Sequence, residues 1–279
     1  MSFIGEQIVP GIVVDPIVKA WRIQFKIGIA PGENVLRKFN APEEYFAVAE
    51  EVPIDALMAA DDKDGFVLAF MPSGQIDGYQ RINQLQEWVA SDGVPVELML
   101  QSDRVLWTPR RAFVLGAADR GDDLVNSLVT FTFFESRLSR LEEEVFALLG
   151  KVSHDSHLTH QVGRRDLRRW SDVNDITRRL WSFRACFAAI EPRLEKAPLS
   201  LSGQARRLYS ELFVIGELAD RCEALDGQLE VLEDLYESAN DRLSEFSYFS
   251  KEYLLEAIII GVLAVDLALT IIDLFVIGH

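Results

Sequence analysis

Two aspartates, Asp266 and Asp273, interrupt the otherwise apolar run "AIIIGVLAVDLALTIIDLFVI" from Ala257 to Ile277. At about 1.5 Å per residue a helix of that length reaches roughly 30 Å, the thickness of a bilayer core, so the run reads as a membrane span. A carboxylate at mid-bilayer costs about 2.5–3.5 kcal/mol on insertion scales, and two of them need partners. Positions i and i+7 lie about 20° apart around a helix, and Thr270 extends the same stripe. The stripe reads as a homo-oligomer contact or the lining of a pore. Two other readings stay open: pairing with another membrane protein, and a core helix of a soluble protein with two exposed aspartates. Glu256 is the acid at which the helix meets the membrane.

Other side chains offer weaker chemistry. "SHDSHLTH" spaces His154, His157 and His160 three apart, a set that binds zinc only if an irregular loop gathers the imidazoles. A polar surface loop is the simpler reading. Arg164, Arg165, Arg168 and Arg169 open a run continued by Arg178, Arg179, Arg184 and Arg193. Guanidinium forks suit phosphate, and they equally suit the acidic helix that follows, with Glu211, Glu217, Asp220, Glu223, Asp226, Glu230, Glu233, Asp234, Glu237, Asp241 and Glu245. Pairing with that helix is favoured over anion binding. The acidic helix offers an inter-subunit seam to divalent cations, and no other cofactor is indicated. Phosphate loop, dinucleotide glycine fingerprint, nucleophile elbow and paired zinc cysteines are absent, so no enzyme is expected.

The balance of 28 basic against 44 acidic residues gives a net charge of −16 over 279 residues. That disfavours nucleic acid and broad docking to anionic lipid. Cys186 and Cys222 both fall in apolar helical patterns, as buried thiols in a reducing compartment do. The amino terminus lacks the charged region and cleavage site of a signal peptide. Arg242 and Lys251 precede the apolar run and only His279 follows it, which places the preceding domains in the cytoplasm. The expectation is a tail-anchored, single-pass protein of the inner (cytoplasmic) membrane whose partners are lipid, itself and another membrane or cytoplasmic protein.

Positioning these groups takes two halves of different period. Up to about residue 115, "AWRIQFKIGIA", "EYFAVAEEV", "GFVLAFM", "PVELML" and "RAFVLG" read as strands, and Trp21, Ile23, Phe25, Ile27 and Ile29 alternate. "PIDALMAA" and "GYQRINQLQEWVAS" read as helices between them. After "GAADRGDD" the period is helical throughout. Leu124, Leu128, Phe131, Phe134, Leu138, Leu141, Val145 and Leu148 mark one long helix ended by Gly150, and Leu167, Trp170, Val173, Ile176, Leu180, Phe183 and Phe187 mark a second. From Gly203 onward steps of three and four run unbroken by proline, predicting a coiled-coil rod of roughly 110 Å that continues into the membrane. The fold class expected is α+β, with a mixed α/β sheet domain over 1–118, a domain of long antiparallel helices over 119–253 including the stalk, and a transmembrane helix over 254–279.

The junction "LADRCEALDGQLEVLEDLYESANDRLSEFSYFSKEYLLEAIIIGVLAVD" resembles the carboxy-terminal signature of the family named for the protein required for meiotic nuclear division, a domain of unknown function. Leu229, Val231, Leu232, Asp234 and Leu235 match its leucine-rich core, and Leu255, Glu256, Ile258, Ile259, Ile260 and Asp266 match its entry into the span. "FTFFESRLSRLEEEV" resembles the segment that opens the family's helical half. The overall architecture is also similar to the CorA metal-ion transporters, although the four methionines, Met1, Met58, Met71 and Met99, exclude the Gly-Met-Asn motif those proteins need in the membrane half. The resemblances imply a membrane-anchored, homo-oligomeric scaffold or interaction protein without enzymatic activity. The alternative they imply is a CorA-like divalent-cation channel lined by Asp266 and Asp273.

Overall fold

Alternation along "WRIQF" and continuous burial along "FVLAFM" are the two ways a sequence writes a strand, half-covered and fully covered. The computed structural model describes residues 18–40, 42–59, 65–74, 79–160 and 162–277, the side chains of 59 and of 270–277 excepted. Its strands are β1 (Lys19–Ile27), β2 (Val35–Asn40), β3 (Glu44–Glu51), β4 (Phe66–Pro72), β5 (Val96–Leu100), β6 (Asp103–Trp107) and β7 (Arg111–Gly116). They form one sheet in the order β2-β3-β1-β4-β7-β6-β5. Every neighbouring pair is antiparallel except β4 with β7. A parallel pair needs a crossover, supplied here by α2 (Tyr79–Ala90) and the β5–β6 hairpin.

β4 is buried from Phe66 to Met71, as a central strand covered on both faces must be. Val67, Ala69 and Met71 join Leu57 of α1 (Ile54–Ala59) and Leu85, Trp88 and Val89 of α2 in one apolar cluster. Phe66, Leu68 and Phe70 alternate with them and so face the other way. There the first residue of α3 (Gly121–Asp155) comes so close that a Cβ on Gly121 would sit 2.7 Å from the Phe70 ring. Aromatic residues fill that side: Phe39 stacks on Phe133 with centroids 4.0 Å apart, and Phe131 lies edge-on to Trp107 and Tyr209.

The helical half is α3, α4 (Trp170–Glu195), α5 (Gly203–Ile215) and α6 (Leu218–Ile277). The α3 side chains anticipated from the spacing are buried from Leu124 to Leu148. The helix runs through Gly150 to Asp155, because a glycine inside a helix costs only about 1 kcal/mol. Before α4 the chain makes a short 3₁₀ turn over Asp166–Arg169, where the Asp166 carboxylate accepts the Gly163 N–H at 2.8 Å.

Two expectations are corrected. The helix begun at Gly203 is not continuous: Gly216 N–H bonds Leu212 O at 2.9 Å, and Glu217 turns into the left-handed region at φ 51° before α6 starts. The transmembrane helix expected over 254–279 is not shown either: among the described residues no helix is long and apolar enough to cross a membrane. The uncharged apolar side chains described there begin at Ala257, and Asp266 interrupts them before Leu269.

Contacts group the chain into two compact units, Met1–Leu141 with Ala185–Glu223, and Glu142–Arg184 with Ala224–His279. The first holds the sheet with α5. The second holds stretches of α3, α4 and α6, whose buried residues include Val145, Leu148, Val173, Leu180, Leu225, Leu229, Leu232, Tyr236 and Leu243.

Candidate functional site

After Leu243 no residue of α6 with a described side chain is buried. Tyr248, Tyr253 and Ile260 are 70%, 75% and 67% exposed, and the exposed apolar side chains continue through Ile258, Ile259, Val262, Leu263, Val265, Leu267 and Leu269. Since α-helical positions advance 100° per residue, consecutive exposed residues such as Ile258, Ile259 and Ile260 cover most of the circumference. Asp266 and Glu256 are exposed on the same stretch. The side chains of Thr270 and Asp273 lie outside those described, so the stripe can be followed only at Asp266.

Upstream on α6 the acids do face the arginines of α4. Arg184 donates through Nε and one terminal nitrogen to Glu233, the latter at 2.7 Å, and through the other terminal nitrogen to Asp226. Glu233 first, and Asp226 after it, push the Arg184 guanidinium above its ordinary range against the effect of burial. The other arginines divide differently. Arg169 pairs with Asp155 at the end of α3, Arg179 lies 3.9 Å from Glu144, and Arg178 pairs with Asp175 on its own helix at 2.6 Å. Among the described residues Arg164, Arg165 and Arg168 make no ion pair.

Asp155 is the most enclosed carboxylate of the second unit, 3% exposed. One oxygen accepts from Arg169 and the other from the Tyr236 hydroxyl at 2.8 Å. Burial alone raises its pKa, but the two donors and the Arg169 charge outweigh burial and hold it below the ordinary aspartate range. Burial, then the Asp155 partner, pushes the Tyr236 phenol up. Satisfied on both oxygens, the Asp155 carboxylate ties the end of α3 to α6 and to the turn before α4.

His154 and His157 stand with ring centroids 6.4 Å apart, and His157 Nδ1 lies 2.9 Å from the His154 carbonyl. Its Nε2 is 3.7 Å from Asp166. His160 follows the 3₁₀ turn Ser156–Thr159. Among the described residues no group of three or more His, Cys, Asp or Glu side chains is gathered closely enough to hold a metal ion.

In the first unit Glu135 is also buried, accepting Ser139 Oγ at 2.8 Å and Arg221 at 3.1 Å on one oxygen. Arg221 reaches Ser139 as well, at 2.8 Å. Neither Glu135 nor Asp155 stands out in the sequence, because a buried acid inside a helical pattern is indistinguishable there from a solvated one.

No family model matches the chain, and no curated protein matches it. The resemblance to the meiotic-division family, read from Leu229 to Asp266, is therefore not upheld. Nine chains among solved structures match. One, described as the structure of the full-length CmaX protein, is 15% identical over 75% of this chain and 78% of that chain, with a TM-score of 0.32.

Proposed function

We propose that the protein is a non-enzymatic, homo-oligomeric scaffold that assembles through the apolar end of α6. One observation carries this reading: from Ile258 to Leu269 the helix exposes large apolar side chains around most of its circumference, with Asp266 the one charge among them. A helix apolar on every side is normally buried, and a continuous exposed patch of this extent marks an interaction surface. Copies of the same helix are the partner that matches it in length and composition. In such a bundle Asp266 is a polar position in an apolar seam, a device that specifies register at some cost in stability. The order of elements, a sheet domain followed by paired helices and one very long helix, is the CorA-like order, taken in this reading as a layout for assembly.

The test is the molar mass of the full chain by light scattering beside the double variant Ile259→Asp, Leu263→Asp. Both positions are exposed, so the variant leaves the folded units intact. A defined oligomer that dissociates in the variant supports the reading. A monomer in both, or a monomer that instead partitions onto neutral phosphatidylcholine vesicles, overturns it.

A further inference from the structure

A cleft of about 360 Å³ opens in the first unit between β2, α3 and the end of α4. Its charged lining is entirely cationic: Arg37, Lys38, Arg193 and Lys196. In a chain of net charge −16 this is an unusual concentration of one sign. Lys38 is committed to Glu44. Among the described residues no carboxylate pairs with Arg37, Arg193 or Lys196.

The two guanidiniums are held by aromatic rings. Arg37 lies 6.0 Å from the centroid of Phe39 and Arg193 lies 6.0 Å from that of Phe134, and the two rings meet edge to face at 5.7 Å. Stacking of this kind orients a guanidinium and leaves its nitrogens available to an anion. Arg37 spends one nitrogen on Ser200 Oγ, at 2.9 Å, which further fixes its direction. Burial depresses the Arg37 pKa, the signature of a cation desolvated without a compensating acid.

We infer that this cleft binds a small phosphorylated ligand, with Arg37 and Arg193 taking the phosphate oxygens and Lys196 adding a point charge. Planar forks match phosphate geometry, and the volume lies in the range of small-molecule sites. The Asn40 side chain at the rim offers a donor and an acceptor to the remainder of the molecule. The assignment goes beyond the assembly proposed for α6 and is independent of it.

The experiment is titration calorimetry of the full chain with pyrophosphate, inorganic phosphate and citrate. Saturable one-to-one binding of pyrophosphate or phosphate is expected, weakened about tenfold by Arg193→Gln and by Lys196→Gln, as loss of a charge-assisted contact implies. Both residues are exposed, so folding is not at issue. Arg178→Gln, which removes an exposed arginine paired with Asp175, should leave binding unchanged. Equal binding of citrate refutes a phosphate site, and equal weakening by Arg178→Gln refutes the cleft. If Arg193 and Lys196 serve only the carbonyl end of α4, no binding is seen and the two variants lower only the melting temperature, which overturns the inference.

Discussion

The Tyr236 hydroxyl donates to Oδ2 of Asp155 at 2.8 Å, joining a fully buried phenol of α6 to the last residue of α3. With Arg169 on the other oxygen, the carboxylate is satisfied on both sides. Tyr236→Phe keeps the ring and removes one donor, so an enclosed carboxylate oxygen is left without its partner. The expected loss is about 1–3 kcal/mol, read from urea denaturation of the second unit's helices. An unchanged midpoint would mean that water replaces the hydroxyl.

The same carboxylate predicts the direction of acid sensitivity. Its folded pKa lies below the ordinary value of 3.8, so the stability it contributes is fully present above that value and is lost as pH falls through the folded pKa. Asp155→Asn has no such titration. The stability gap between wild type and Asp155→Asn should therefore be widest at about pH 6 and narrow below about pH 4. A gap constant down to about pH 2.5 would show that the charge on Asp155 is immaterial.

Arg184 holds Glu233 through two nitrogens and Asp226 through a third, a geometry lysine does not reproduce. The arginine side chain is 35% exposed, so the pair is partly screened. Arg184→Lys should cost about 0.5–1 kcal/mol at low salt, with the difference shrinking at about 0.5 M salt, as melting in the two buffers would show. A cost independent of salt would point to lost packing of the side-chain stem.

These contacts separate what a sequence displays from what it conceals. The alternation from Trp21 to Phe25 and the steps of three and four from Leu124 to Leu148 repeat one physical rule many times, and β1 and α3 stand where that repetition places them. β2 escaped notice because it is an edge strand with a single buried residue, Phe39, and charged neighbours Arg37 and Lys38, the usual composition of a guarded edge. β6 is short and begins at a buried acid, Asp103, which reads as turn. The cationic cleft was illegible for a different reason, since Arg37 and Arg193 are distant in sequence and only the packing of Phe39 beside Phe134 brings them together. The apolar end of α6 was conspicuous, but composition alone does not distinguish lipid from protein as its surroundings.

Gly121 marks a close approach between the sheet and α3. A Cβ at this position would meet Phe70 Cζ at 2.7 Å and both neighbouring ring carbons at about 3 Å. Phe70 is 5% exposed on the central strand β4, so its ring has little room to withdraw. Gly121→Ala should destabilise the first unit by about 1–3 kcal/mol even though alanine is the better helix former, because overpacking exceeds the propensity gain. Phe70→Leu shortens the side chain facing the new methyl and costs stability by itself through the cavity it leaves. If steric conflict is the cause, the double variant is more stable than the sum of the two single losses predicts, by about 1 kcal/mol or more in a thermodynamic cycle. Strict additivity would place the effect of Gly121→Ala in the backbone of the α3 amino terminus and remove Phe70 from the account.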